Sequence, residues 1–298
     1  MGDLFKALSS GLAQFVYAWI LPSAITCGLF SVVVLSHTSP PPFTDVNAWV
    51  GGALFILATV TLSVMFAYSA RSIYRFLEGY SIPAFARERM RKRQRRAFHR
   101  LSLLRAHGPP LVRQESAERL KEFPESPSLI MPTKMGNALK AMEQYGVTRF
   151  GLDSQTFWYE LQSAAPEAIR ISTRETRSAV DFFVSSVAHL VLFGISCFAF
   201  VPVVNDKWLV VAAGVLSLAL VYPTYLQAAA NVLEWRWAVQ ALVHVGRHPL
   251  AESVGFQLPP RLEDEKQLWE ALADLTHLGP EQEYLSVLNR FAKRSPAS

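Results

Sequence analysis

The sequence predicts an all-α fold, a polytopic membrane protein with four transmembrane helices in two pairs and a helical cytosolic domain. Three observations predict it. Of the 298 residues 51% are apolar, and the mean hydropathy is +0.19. The apolar residues gather in four stretches, 7–44, 46–70, 182–205 and 208–233, that contain no Asp, Glu, Lys or Arg. Each exceeds the roughly 20 residues that a helix needs to cross hydrocarbon. Finally, the stretch between the second and third is strongly basic. This distribution excludes an ordinary soluble enzyme, a disordered chain and a small disulfide-built module.

The spans are expected at 12–35, 49–70, 182–204 and 208–229. They must be helices, because hydrocarbon offers no partner for open backbone. The first is expected to be retained rather than cleaved, since its apolar run continues well past the short core of a signal peptide. Residues Ala24, Ile25 and Thr26 before Cys27 are a poor lipoprotein cleavage site, and Lys6 stands where a myristoylation signal needs Ser or Thr. Pro223, between Tyr222 and Tyr225, predicts a kink near the inner end of span four.

Orientation follows from basic residues in the flanking segments. Residues 71–113 contain twelve Lys and Arg against two acids, Glu78 and Glu88. The connection 36–45 has no Lys or Arg, and the one between spans three and four offers Asp206 and Lys207. The expected location is therefore a bacterial inner (cytoplasmic) membrane, crossed several times with both termini cytoplasmic. Pro40, Pro41 and Pro42 predict a short, stiff outer loop. The chain then divides into an N-terminal transmembrane hairpin (1–70), a cytosolic helical domain with the basic run (71–178), a C-terminal transmembrane hairpin (179–231) and a cytosolic helical region (232–298).

The cytosolic part reads as helices. Pro83 opens one over 84–107 that Gly108 and the two following prolines end. Thr133 caps one running through Tyr145, and Asp153 caps another that turns Phe157, Trp158 and Leu161 inward. Pro166 opens a helix leading into span three, and span four continues inward to Gly246. After Pro259 and Pro260, Leu268, Trp269, Leu272 and Leu275 form an apolar stripe on a helix over 262–277. Gly279 and Pro280 stop it, and a last helix starts at Glu281.

Candidate functional residues fall into three groups. Arg89, Arg91, Arg93, Arg95 and Arg96 crowd one helix so closely that positive charge is expected on every side of it. Such a run suits anionic lipid head groups at the inner face, or alternatively nucleic acid or a charged nucleotide. Within span three, Ser185, His189 and Ser196 fall on one face, and an intramembrane titratable residue is a functional suspect by default. His189 either faces a hydrated path or hydrogen-bonds to a neighbouring helix. The third group, Asn137, Asp153 and Trp158, either shapes the cytosolic domain or lines a ligand pocket in it.

Enzyme chemistry has little support. Both cysteines, Cys27 and Cys197, lie in apolar spans, and His244 and His248 are spaced for metal but flanked by Gly246 and Pro249. No catalytic residue, metal or cofactor is expected. A lipid enzyme using Asp153, His244 or His248 is the least favoured reading.

The run Pro132-Thr133-Lys134-Met135-Gly136-Asn137-Ala138-Leu139, followed by Glu143, Tyr145, Phe150-Gly151-Leu152-Asp153 and Trp158, resembles an uncharacterised group of bacterial membrane proteins. In that group a box of Thr, a basic residue, Leu or Met, Gly and Asn precedes an aromatic-Gly-Leu/Ile-Asp box and a Trp, between two pairs of membrane helices. Leu258-Pro259-Pro260, the acids Glu263 to Glu265 and Leu268-Trp269-Glu270 resemble its C-terminal segment. Phe150 replaces the group's Tyr, and Tyr159 replaces the Pro that follows Trp. The resemblance covers most of the chain and implies the four-span arrangement; it implies no activity.

The functional expectation is a non-enzymatic, homo-oligomeric integral membrane protein. Its cytosolic helical domain binds a ligand or partner and transmits that state to the spans, as a channel-type signalling or defence effector would. The alternative is a membrane scaffold that tethers a cytosolic protein or nucleic acid.

Overall fold

The computed structural model describes residues 11–38, 47–278 and 282–292. The expected Pro40–Pro42 loop, the Gly279-Pro280 stop and the helix start at Glu281 lie outside these residues. Residues 11–15 are helical, and the further α-helices are α1 (Leu21–Val33), α2 (Ala48–Glu78), α3 (Ala84–His107), α4 (Pro110–Leu120), α5 (Lys134–Phe150), α6 (Trp158–Ala164), α7 (Glu167–Phe200), α8 (Lys207–Ser253), α9 (Leu262–Leu278) and α10 (Gln282–Phe291). No strand occurs among the described residues beyond two isolated bridges. Four helical segments are long and apolar enough to cross a membrane: Gly11–His37, Ala48–Glu78, Glu167–Val203 and Lys207–Ser253.

Two compact units contain these helices. The first is Met1–Ile82 with Arg177–Asn231, the second Pro83–Thr176 with Val232–Ser298. Both later boundaries fall inside α7 and α8, which run on without a break.

In the first unit, apolar side chains point outward. Ile56, Leu57, Val64 and Met65 are exposed, and only 11% of the most apolar window of α2 is buried. A helix in water would hide these groups at about 25 cal/mol per Å²; surrounded by lipid tails it has no reason to. Packing in this unit uses small residues instead. At the α7–α8 crossing, a Cβ on Gly194 would lie 2.7 Å from Leu218 Cδ2, and one on Gly214 would lie 3.0 Å from Cys197 Cβ. The Ser217 hydroxyl donates across the same crossing to the Leu190 carbonyl at 2.7 Å. At the end of α1, the His37 carbonyl accepts from the Asn205 amide at 2.7 Å. That bond ties the chain after α1 to the α7–α8 turn.

The second unit has an ordinary apolar core. Leu152, Phe157, Leu161, Leu242, Leu268 and Trp269 are buried together. Trp269 donates its indole N–H to Glu265, 3.2 Å away, and Arg247 pairs with the same buried carboxylate. Its helices begin and end where turn chemistry dictates. The Thr133 hydroxyl accepts the Gly136 amide at 3.0 Å, and Gly151, at φ +77°, ends α5 in the left-handed conformation.

Several helices depart from the boundaries expected from sequence. The helix α2 runs eight residues past Ala70, to Glu78, where Gly79 at φ +97° caps it. At the other side, α8 passes Pro223 and Pro249 and ends at Ser253, not at Gly246. Each proline forfeits one intrahelical N–H, and a Cβ at Gly246 would lie 3.1 Å from Leu161 Cδ2, so the helix passes a position where packing favours glycine. Likewise α5 continues to Phe150 rather than stopping at Tyr145. Gly146 within it lets the Leu152 carbonyl approach the space that a Cβ would occupy. Pro110 at its first turn starts α4, a helix the sequence reading did not anticipate.

Candidate functional site

Among the polar groups of the first unit, the most highly connected set surrounds His189. The first apolar helix contains a π-helical turn at Val16–Ile20, shortly ahead of Pro22, whose ring cannot supply a backbone donor. One residue later comes Ser23, fully buried, with its hydroxyl 2.9 Å from the Trp19 carbonyl and 2.8 Å from His189 Nε2. On α7, His189 Nδ1 lies 2.8 Å from the Ser185 carbonyl and 3.3 Å from the Ser185 hydroxyl. From α2, Phe66 lies against the imidazole with ring centroids 4.2 Å apart. Three helical segments therefore meet at one buried imidazole.

The hydrogen positions follow from what each group can do. A carbonyl only accepts, so the Ser185 contact places a proton on Nδ1. In the neutral ring Nε2 then accepts the single hydroxyl proton of Ser23, and the Trp19 carbonyl goes without it. With a second proton, the ring donates to both Ser185 and Ser23, and the Ser23 hydroxyl turns to Trp19. Both charge states thus have a complete set of partners within the same heavy-atom arrangement. Of the two expectations for His189, the geometry is that of a hydrogen bond to a neighbouring helix. Ser196 lies on the same face two turns farther along α7 and is half-buried.

At one end of this unit the Tyr74 hydroxyl of α2 donates to Asp181 Oδ1 of α7 at 2.6 Å, and Arg177 Nε stands 3.9 Å from the other carboxylate oxygen. Neither this pair nor Ser23 and Phe66 was singled out from sequence. Asp181 did carry a signal, being an acid immediately before an apolar run.

In the second unit, α3 has an outer and a packed side, and basic residues stand on both. Arg89, Arg93, Arg95 and Arg96 are exposed, whereas Arg91 is half-buried on the packed side and stands 3.8 Å from Glu88. The packed stripe continues through Gln94 and Phe98. Gln94 accepts from the Asn137 amide at 3.4 Å, and Phe98 meets Phe123 edge-on with centroids 5.7 Å apart. Residues one α-helical turn apart share a face, so Arg87, Arg91, Gln94 and Phe98 fall inward together.

Asn137 is buried, and its carbonyl oxygen accepts the Met131 amide at 2.7 Å. It therefore joins the turn before α5 to α3. Asp153 caps differently from the expectation: the helix begins at Trp158, and the carboxylate instead holds the preceding turn. It accepts the Gln155 amide and the Thr156 hydroxyl, both at 2.9 Å. Thr156 also lies 2.9 Å from His277 Nε2. Trp158 packs, partly buried, against the core around Leu161. The structure thus brings Asp153 and Trp158 to one corner and places Asn137 in the α3–α5 packing.

His244 shares a 2.7 Å hydrogen bond with the Tyr145 hydroxyl and meets the Phe150 edge, while the Arg247 guanidinium lies 4.4 Å from the Phe150 ring centroid. No cluster of three or more His, Cys, Asp or Glu able to hold a metal occurs among the described residues. No family model matches the chain, and neither the curated proteins nor the solved structures contain a match.

Proposed function

We propose that the chain is an integral protein of a bacterial inner membrane whose second unit forms a cytosolic helical domain that binds a ligand or partner and transmits its state to the spans. The observation that carries this reading is the length of α7 and α8. They hold 34 and 47 residues, about 50 and 70 Å at 1.5 Å per residue. Each therefore exceeds the roughly 30 Å of a hydrocarbon core, and each belongs to both units without a break. Continuous helix in α7 and α8 is the proposed route by which the state of the domain reaches the spans.

Other features support the arrangement. The His37–Asn205 bond sets the α1 exit and the α7–α8 turn at the same end of the first unit, as two antiparallel pairs require. Basic residues 71–113 favour the cytoplasm for the segment that follows α2. Outward apolar faces on α2 and α8 suit lipid and further copies of the chain. Ion conduction by a homo-oligomer is one output such coupling would control.

The test is electrical. Full-length protein in planar bilayers is exposed, on the side of the second unit, to fractionated bacterial cytosol. Wild type conducts in response to at least one fraction, and Thr176→Pro, which breaks α7 at the unit boundary, assembles with the same particle mass but does not respond. Bilayers that stay silent with every fraction remove the channel form of the proposal. A response unchanged in Thr176→Pro removes coupling through α7.

A further inference from the structure

We infer that the outward face of α3 is a docking surface for anionic phospholipid head groups. The inference rests on the membrane placement proposed above, and on no part of the ligand-transmission reading. Phe85 and Leu103 are eighteen residues apart in α3, five full turns and about 27 Å along its axis, so they lie on one line of the helix. Phe85 is 82% exposed and Leu103 49%. Between them, Lys92 and Arg96 fall on the same line, and Arg89, Arg93 and Arg100 lie just beside it, all exposed. Glu88 is the acid on α3, and it faces Arg91.

Two features select a lipid surface over nucleic acid. First, a row of exposed cations following an apolar span matches a juxtamembrane polybasic segment, whose charges meet lipid phosphates, and Phe85 and Leu103 add an exposed apolar contact at each end of the row. Single-strand binding needs aromatic platforms among the cations; Phe98 turns inward onto Phe123, and the exposed Phe85 stands ahead of the row rather than between its cations. Secondly, only residues 79–83 separate the end of the apolar helix α2 from the start of α3. The eight residues of α2 beyond Ala70 rise about 12 Å and the five linking residues reach at most about 18 Å, which keeps the start of α3 within about 30 Å of the membrane surface that α2 leaves.

Each basic side chain near an anionic surface favours binding by about fivefold. The experiment compares full-length wild type with Arg89→Gln/Lys92→Gln/Arg93→Gln/Arg96→Gln/Arg100→Gln and, separately, with Phe85→Ala. All three are purified in neutral detergent and offered equal amounts of phosphatidylglycerol and phosphatidylcholine, and retained lipid is counted by native mass spectrometry. The same samples are titrated with a fluorescent 30-nucleotide single strand and a 30-base-pair duplex. The substituted positions are exposed, so elution volume and melting temperature stay at wild-type values. Wild type retains phosphatidylglycerol over phosphatidylcholine by about tenfold or more, the five-fold Gln variant loses that preference, and Phe85→Ala retains less of both lipids. Equal retention of the two lipids by wild type, or a preference that survives the five substitutions, overturns the inference. So does oligonucleotide binding that the five substitutions abolish when wild type shows no lipid preference. Electrical silence in the bilayer assay has no bearing on these readouts.

Discussion

His189 shows how much a single side chain can connect when it is surrounded by the right donors and acceptors. Its imidazole joins Ser23 of the first apolar segment to Ser185 of α7, with Phe66 of α2 across its face. A double-mutant cycle on Ser23→Ala and His189→Ala should give a coupling of about 0.6 kcal/mol, the average for hydrogen bonds between membrane helices. Unfolding in mixed micelles measures it, and purely additive losses would show that the bond contributes nothing. In the second unit the sharpest position is Gly151. A Cβ there would lie 2.7 Å from the Lys266 Cα and carbonyl oxygen while the backbone sits at φ +77°. Gly151→Ala should cost about 2 kcal/mol or more, through strain and overpacking, seen as a lower melting temperature of the full chain. The sequence singled out His189, Ser185 and the caps Thr133 and Asp153, because each is a polar residue in a setting where polarity needs a reason. It gave no hint of Ser23, since a serine in an apolar run looks like any other small residue until a partner 166 positions away is folded against it.

At the scale of helices, the crossing of α7 and α8 depends on glycine. Gly194 leaves space that Leu218 fills, so Gly194→Ile should destabilise the pair by about 1–3 kcal/mol. Adding Leu218→Ala should recover much of the loss, and failure to recover it would mean that the crossing tolerates wider separation. Helix type and most of the helices were legible, because apolar runs and proline punctuation are local signals; α4 was not, its charged sequence having no apolar stripe to mark it. The extents of α2, α5 and α8 were not. Tertiary contacts decide whether a Gly or Pro interrupts a helix: Gly246 packs against Leu161 and Gly146 against the Leu152 carbonyl. The inward stripe of α3 was equally hidden, since Arg91 and Gln94 become interior only when Glu88 and Asn137 are placed beside them.

For the whole molecule, the deciding property is which side of a membrane each segment occupies. Charge asymmetry carries that assignment, and both the proposed coupling through α7 and α8 and the lipid-facing role of α3 require it. Cys27 and Cys197 lie in apolar helices, which makes the unsubstituted protein a suitable blank for thiol labelling. A membrane-impermeant maleimide applied to intact cells should label Asn205→Cys and leave Ser128→Cys unmodified until the membrane is opened. Labelling of Ser128→Cys in intact cells would place the second unit outside and contradict the account.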